Sequence, residues 1–558
     1  MAIGVGIVLA LIGALEGWWE RIDYPSDTIS YLDIVRAIGN GDWKLALNPL
    51  WSLGYPLLLA VFKPLFPNTP AGEWTAAHVL NLLILLATWF AFLLLVRSLR
   101  QFAGKADSES GTYDRGLFFA AAAVFIACQL TIGSTWLISP DLLVCCLTFI
   151  TVSLLLRLIV GASSRDALLL GLTLGIGYIV KAAFLVFSLI TISILATALW
   201  KRKRKLLPAI VALLVLAAFA IPYSAALSWS FGRFTLGEAG NINYAWWVNK
   251  LQIFFHWQGG PQGYGVPIHP TQQVLSSPRV FVFDKPFPVS YPPFFNPPYF
   301  YEGYRHFFNF SRQAHEILVN LKNLARVIGL QPLLCILLAG ALWIFAGGKR
   351  RMFGSALGRY WPALTVGLCG IATFVPVHLE GRYIAPFLAI VGITIFLAMR
   401  PAIPARIRRA AGPALIVCAL FSFGINETDV FRNLAKRQSY DRAPDWKMAM
   451  WLSRSGLRAG DKVAVISPSS AAFCEWAYLA HLRIVGEAGV DLYRSKEENL
   501  AQYWGSSARA RQDAVEAFRQ AGAAAIIAFD KPENEERGEW VRIPETSAWV
   551  QALQTAER

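Results

Sequence analysis

The chain alternates between long apolar runs and short polar gaps. The runs extend over about fifteen to about thirty-five positions with almost no charged residue. That is the pattern of membrane-spanning helices, not of amphipathic stripes around a water-soluble core. It predicts eleven spans: about residues 3–19, 75–96, 116–133, 142–160, two within 167–200, then 206–224, 327–346, 361–377, 383–399 and 411–425. In the stretch 167–200 the one charged residue is Lys181. As a single helix it would extend about 50 Å, against a hydrocarbon core of about 30 Å. A hairpin turning near Lys181 resolves the mismatch and brings the ammonium to the membrane surface.

Composition agrees. The 558 residues are 55% hydrophobic and 16% charged, with a mean hydropathy of +0.45. A soluble chain carries about a quarter charged residues, so a soluble enzyme, a disordered chain and a fibrous repeat are excluded. The formal charge of +15 sits in alternate gaps: Arg97 to Arg115, Arg157 and Arg165, Lys201 to Lys205, Lys349 to Arg359, and Arg400 to Arg409. This is a positive-inside pattern, which puts those gaps in the cytoplasm and explains the charge without any nucleic-acid partner. Eleven spans then leave the N-terminus cytoplasmic and the C-terminus outside, in a multi-pass protein expected in a bacterial inner membrane. The opening MAIGVGIVLALIGALEGWWE lacks a basic lead and a small-residue cleavage site, and reads as a retained first helix. Six of the seven cysteines lie in apolar runs and Cys474 stands alone in a polar region, so neither a disulfide framework nor a zinc spacing is expected.

The expected architecture is an α-helical polytopic membrane domain over residues 1–425, including outer loops 20–74 and 225–323. A soluble extracytoplasmic α/β domain over 426–558 follows it. In the tail, DKVAVISP, LRIVGE, AAAIIAFD and WVRIPE predict strands, while WKMAMWLSRSG, SSAAFCEWAYLAHL, ARQDAVEAFRQAG and ETSAWVQAL predict helices. No Gly-rich phosphate loop follows a strand, so a nucleotide site is not expected. The second loop is dominated by aromatics, Pro and Gly, as in NYAWWVN (243–249), HWQGGPQGYG (256–265) and YPPFFNPPYFYEG (291–303). Such side chains either stack on sugar rings or line the membrane interface.

Ionisable residues gather on the predicted outer side. After the first span come Asp23, Asp27, Asp33 and Asp42; Ile29, Leu32, Val35 and Ile38 recur every three positions, as in a helix lying on the membrane surface with Asp27 at its start. In WLISPDLL, Ser139 suits an N-cap, Pro140 the first helical position and Asp141 the first turn, where a carboxylate also stabilises the helix dipole by up to ~1 kcal/mol. In VHLEGRYIAPFLA, His378, Glu380 and Arg382 fall within five positions where the chain re-enters the membrane. Lys181 adds a second cation. Carboxylates beside cations suit transfer of a sugar from a lipid phosphate. One carboxylate takes the proton of the attacking hydroxyl, cations hold the departing phosphate, and no general acid is needed.

These segments resemble, in the right order, the C-type (GT-C) polytopic glycosyltransferases, in the branch of protein O-mannosyltransferases and lipid A aminoarabinose transferases. The resemblance is carried by Asp27 followed by NPLWSLGYPLLLA (48–60), then SPDLL, GIGYIVKAAF and EGRYIAP, and covers about residues 1–400. It implies an inverting membrane transferase that takes a sugar from a polyprenyl-phosphate donor to a lipid, glycan or protein acceptor. By position it implies Asp27 as the catalytic base and Asp141 as a residue orienting acceptor or base. Lys181 and Arg382 would hold the donor phosphate, with Tyr383 and His378 beside them. Tyr31, Glu380, Trp246 and His256 are further candidates for contacts to acceptor or sugar. The chain departs from that branch in having Thr28, not a second acid, after Asp27. No cofactor is expected. A divalent metal belongs to an alternative reading, an oligosaccharide transferase using a lipid diphosphate; a lipid-linked-sugar flippase is the other.

Overall fold

The computed structural model describes all residues except 20–25, 105–114, 133–136, 162, 252–255, 261, 284, 427–442, 468–473, 490–494, 533–539 and 554–558. Two compact units divide the chain: 1–19, 52–240 and 309–435 form the first, and 20–51, 241–308 and 436–558 the second.

The first unit is helical. Among the described residues, five helices are long and apolar enough to cross a membrane: Pro70–Ala103, Asp141–Val160, Phe184–Lys201, Leu207–Phe231 and Gly381–Ala402. A sixth crossing results if Phe310–Gly329 and Pro332–Gly347, bent by 96°, count as one broken span. The other expected spans fall on shorter helices, among them Ala2–Trp18, Arg115–Leu130, Ser164–Val180 and Trp361–Phe374. The eleven expected crossings are therefore not all of crossing length. One further apolar helix, Gly54–Phe62, occupies a stretch read as outer loop. The eighth expected span is also corrected: its start at 327 falls inside the amphipathic helix Phe310–Gly329, and the apolar helix begins at Pro332 after the bend.

The hairpin at Lys181 is present. Ser164–Val180 ends at Lys181, whose extended backbone (φ −155°, ψ 122°) breaks the run, and Phe184–Lys201 returns. Close helix packing rests on small residues, as membrane interfaces require. A Cβ on Gly171 would lie 2.5 Å from Val215 Cβ, and one on Gly175 2.7 Å from Phe219 Cγ, so Ser164–Val180 packs nearly backbone-to-side-chain on Leu207–Phe231. Pro70–Ala103 packs along Asp141–Val160, where the Ser98 and Ser153 hydroxyls are hydrogen-bonded at 2.7 Å. Exposed Leu214, Ile221, Ile3 and Leu11 form the apolar exterior that a bilayer covers.

The second unit is built on a sheet of seven described strands in the order β1-β2-β4-β3-β5-β7-β6. They are β1 (Gln272–Ser276), β2 (Arg279–Val282), β3 (Lys462–Ile466), β4 (Arg483–Ala488), β5 (Ala525–Phe529), β6 (Val541–Arg542) and β7 (Ala548–Ala552). β3 is parallel to β4 and β5; the other pairings are antiparallel. Helices Lys496–Trp504 and Ala508–Gln520 contribute Tyr503, Trp504, Ala514 and Phe518 to its core. Two expectations change here. ETSAWVQAL is not a helix: Ala548–Ala552 is β7, because antiparallel pairing with β5 satisfies its backbone. The aromatic loop also holds strands, since β2 pairs with β4, joining the hairpin 272–282 to the C-terminal sheet.

The helix Ser26–Gly39 belongs to this unit and does not simply lie on an apolar stripe. Thr28 through Val35 are all buried. Asp33 accepts hydrogen bonds from Ser290 N–H and Oγ, both at 3.1 Å, and Arg36 donates to Tyr478 O at 3.1 Å. The aromatics of 243–303 pack mainly on one another. Gly265 and Gly303, at φ +106° and +92°, let two strands of that loop cross at a distance no side chain would allow: a Cβ on Gly303 would lie 1.9 Å from Val266 O.

Replacing Gly175 by Val is expected to push the Phe219 ring out of the helix contact and to cost about 1–3 kcal/mol. Thermal unfolding of the purified protein in detergent would read this as a lowered midpoint.

Candidate active site

Three helix ends of the first unit meet at one carboxylate. Asp141 opens the helix Asp141–Val160; Pro140 takes the N-cap position expected of Ser139. Ser139 still serves both groups, donating from Oγ to Asp141 Oδ2 at 3.1 Å and accepting from Asp141 N–H at 3.4 Å. Lys181, just past the end of Ser164–Val180, donates from Nζ to Asp141 Oδ1. Arg382, the second residue of Gly381–Met399, brings Nε to 3.6 Å from Asp141 Oδ2.

A second carboxylate holds the guanidinium from the other side. Arg382 Nε donates to Glu380 Oε2 at 2.6 Å, and Glu380 Oε1 is hydrogen-bonded to His378 Nε2 at 3.0 Å. Burial works against the Glu380 charge, but the His378 hydrogen bond and the Arg382 charge outweigh it. They hold the carboxyl down at about 2, against an ordinary 4.5. Tyr383 lies beside both cations. Lys181 Nζ is 3.9 Å from its ring centroid, the Arg382 guanidinium carbon is 5.1 Å away, and Arg382 Nη2 donates to its hydroxyl at 3.3 Å.

Asp141, Lys181, Arg382 and Tyr383 line a cleft whose remaining walls include Phe184, Phe187, Phe374 and Phe387. Gly370 lets the wall close: a Cβ there would meet the Phe387 ring at 2.3 Å. The electrostatics favour an anion. Arg382 stands at a helix N-terminus, where the dipole disfavours a cation, so its position needs negative charge nearby. A helix N-terminus flanked by Arg and Lys, beside an apolar wall, can bind a phosphate carrying a hydrocarbon tail.

Asp141, Lys181, Arg382, Tyr383, His378 and Glu380 are thus brought together. Glu380 bridges Arg382 and His378. The other four candidates lie in the second unit. Asp27 is half-buried in the first turn of Ser26–Gly39. Tyr31 is buried edge-on to Trp51, with ring centroids 5.3 Å apart. Trp246 is buried edge-on to Tyr301 at 6.1 Å. His256 is 4% exposed and both its ring nitrogens are engaged, Nδ1 with Thr271 Oγ1 at 2.8 Å and Nε2 with Glu487; its ring stacks on Phe281 at 4.0 Å. Of the remaining acids, Asp33 binds Ser290, Asp42 caps Leu45 N–H at 3.0 Å, and Asp23 lies outside the described residues.

Sequence reasoning missed what supports Lys181. Ser52 Oγ accepts from Ala182 N–H at 3.1 Å, and a Cβ on Gly54 would come within 2.8 Å of Val180 Cα. Leu53 N–H donates to Tyr223 Oη at 3.2 Å, and Tyr55 Oη to Asn81 Oδ1 at 2.8 Å. The SLGYP segment is therefore the seat of the Lys181 turn. Its Gly-Tyr-Pro was the available signal.

No protein-family model and no curated protein matches this sequence. Solved structures do match its fold. ArnT from Cupriavidus metallidurans bound to undecaprenyl phosphate aligns over 99% of this chain and 97% of its own, at 12% identity and a TM-score of 0.52. The same protein in the apo state aligns over 99% of this chain and 98% of its own, at 12% identity and a TM-score of 0.51. The oligosaccharyltransferase AglB of Archaeoglobus fulgidus, in complex with an inhibitory peptide and a dolichol-phosphate, aligns over 95% of this chain and 69% of its own, at 13% identity and 0.48. The chain is a multi-pass membrane protein with the GT-C fold, as its motifs led us to expect.

Two outcomes follow from the charge network. Asp141→Ala leaves both cations without their shared partner and is expected to lower stability by about 3 kcal/mol, read as a fall in the thermal midpoint. Glu380 has a folded value below its unfolded one, so its contribution is complete above about pH 4.5 and is lost as pH falls toward about 2. The midpoint difference between wild type and Glu380→Gln should therefore shrink only below about pH 4.5.

Proposed function

We propose that this protein is an inverting glycosyltransferase, moving a sugar from a polyprenyl-phosphate donor to an acceptor on the extracytoplasmic face of a bacterial inner membrane. The observation that carries this reading is the pairing of Lys181 and Arg382 in a cleft with an aromatic wall. Support comes from the fold shared with ArnT, which has been solved with undecaprenyl phosphate. The cations hold the donor phosphate and take up the charge that grows on it as the glycosidic bond breaks. Before the donor arrives, Asp141 and Glu380 balance them. Asp141 is then a positioning residue and not the base, because its carboxylate already serves Lys181, Arg382 and Ser139.

Asp27 is the proposed base. It takes the proton of the acceptor hydroxyl as the oxygen attacks the anomeric carbon from the face opposite the phosphate, which inverts that centre. In this reading the two side-chain cations do the electrostatic work that a divalent ion would do, so no metal is required. Tyr383 presents its ring to both cations.

The test is a transfer assay in nanodiscs, with membrane lipid extract as the source of donor and acceptor. Asp27→Asn is expected to lower turnover by about 10²- to 10⁴-fold in a folded protein. Arg382→Ala should lower it and weaken donor binding as well. Activity should survive a chelator. Full turnover in Asp27→Asn would remove the base assignment, and loss of activity on chelation would favour the metal-dependent oligosaccharide transferase. Lipid-linked sugar that crosses the bilayer without being transferred would identify a flippase.

A further inference from the structure

The helix Phe310–Gly329 carries three stripes. At 100° per residue, Gln313, Glu316, Asn320, Asn323 and Val327 share one face, and Ile317, Leu318, Leu321, Leu324, Ala325 and Ile328 share another. Lys322 and Arg326 form a cationic edge beside the apolar stripe, with His315 on the same side. In a water-soluble protein the apolar stripe would face the core. Here the polar one does. Glu316 and Asn320 are buried, Gln313 donates to Pro376 O at 2.6 Å and Asn320 to Val375 O at 3.1 Å, and Leu379 N–H donates to Asn320 Oδ1 at 3.2 Å. The apolar stripe points outward, with Leu318 57% and Leu321 44% exposed; Phe310 before it is 78% exposed and Leu330 after it 60%.

An exposed stripe of this kind needs an apolar medium, and two observations name it. The next helix is apolar and leaves at 96°, so a helix that enters the membrane there puts Phe310–Gly329 close to the membrane plane. The stripe is also bordered by exposed Lys322 and Arg326, whose long stems reach from an apolar surface to anionic headgroups. We propose that Phe310–Gly329 is an interfacial helix, seated by its apolar stripe in the bilayer boundary. Its polar face grips residues 375–379 and so sets the position of the His378–Glu380–Arg382 segment at the membrane surface. Gln313 and Asn320 are positioning residues for Arg382. This second part rests on the phosphate role proposed for Arg382; the seating in the bilayer does not.

Seating is tested on the full chain in phosphatidylcholine–phosphatidylglycerol nanodiscs, with dansylalanine at Leu321 and a reference label at the exposed Leu214 of Leu207–Phe231. Brominated acyl chains should quench both labels, and aqueous iodide neither. Quenching at Leu321 by iodide alone would place the stripe in water. Protection from both quenchers would mean that protein covers it, a second copy being the first candidate. Either result overturns the proposal. The grip is tested by the stabilisation that added undecaprenyl phosphate confers on the thermal midpoint. Asn320→Ala and Gln313→Ala, each on folded protein, should weaken apparent affinity by roughly three- to tenfold, as loss of a hydrogen bond implies. Arg382→Ala should weaken it further. A loss with Arg382→Ala but none with either helix variant overturns the grip. Unchanged affinity in Arg382→Ala overturns the grip together with the phosphate reading and leaves the seating standing.

Discussion

Asp141 meets a constraint that the rest of the helical unit has to satisfy. Two cations converge on one cleft, and one of them, Arg382, stands at a helix N-terminus where the backbone dipole repels it. Two like charges so close, partly removed from water, are held only if negative charge lies between them. Asp141 supplies it while keeping its own favourable place at a helix start. Its side chain is 6% exposed, against 24% for Lys181 and 17% for Arg382. The carboxylate is thus the buried hub, and the cations keep a route to the cleft. Ser139 orients the hub, and the SLGYP segment seats the Lys181 turn.

The same logic explains why small residues sit where they do. Gly171 and Gly175 let the hairpin's first arm close on Leu207–Phe231, and Gly370 lets the wall close on Phe387. In lipid there is no hydrophobic gain from pairing helices, so closeness of packing has to hold them. A well-packed hairpin is what keeps a lysine at a helix break in one place. Function and packing meet in the same segment.

The second unit solves a different problem. Its sheet is assembled from a hairpin at 272–282 and strands that begin at 462, and its acids and aromatics are used to join distant segments. Glu487 on β4 accepts from Tyr291 Oη at 2.5 Å and pairs with His256, while Asp33 fixes the Ser26–Gly39 helix to Ser290. A buried carboxylate is costly unless its oxygens are satisfied. Here each acid is satisfied by a part of the chain far away in sequence, so the aromatic-rich loop and the tail are one folded body.

The sequence by itself determined the solvent in which this chain folds, the helical hairpin at Lys181 and the residue types of the site. These are local properties. Apolar run length compared with bilayer thickness fixes a span, and one lysine midway through an overlong run marks its turn. His378, Glu380 and Arg382 were likewise legible, because they crowd at a membrane re-entry. Tertiary structure alone decided what is set by partners far along the chain. β7 has helix-compatible residues and is a strand because β5 lies beside it; β1 and β2 emerge from a Pro- and aromatic-rich loop because β4 offers an edge. The stripes of Phe310–Gly329 could be read from periodicity, but not which stripe would face protein. The meeting of Asp141 with Lys181 and Arg382 joins positions 40 apart in one case and about 240 in the other. Local pattern carries no information at that range; packing does.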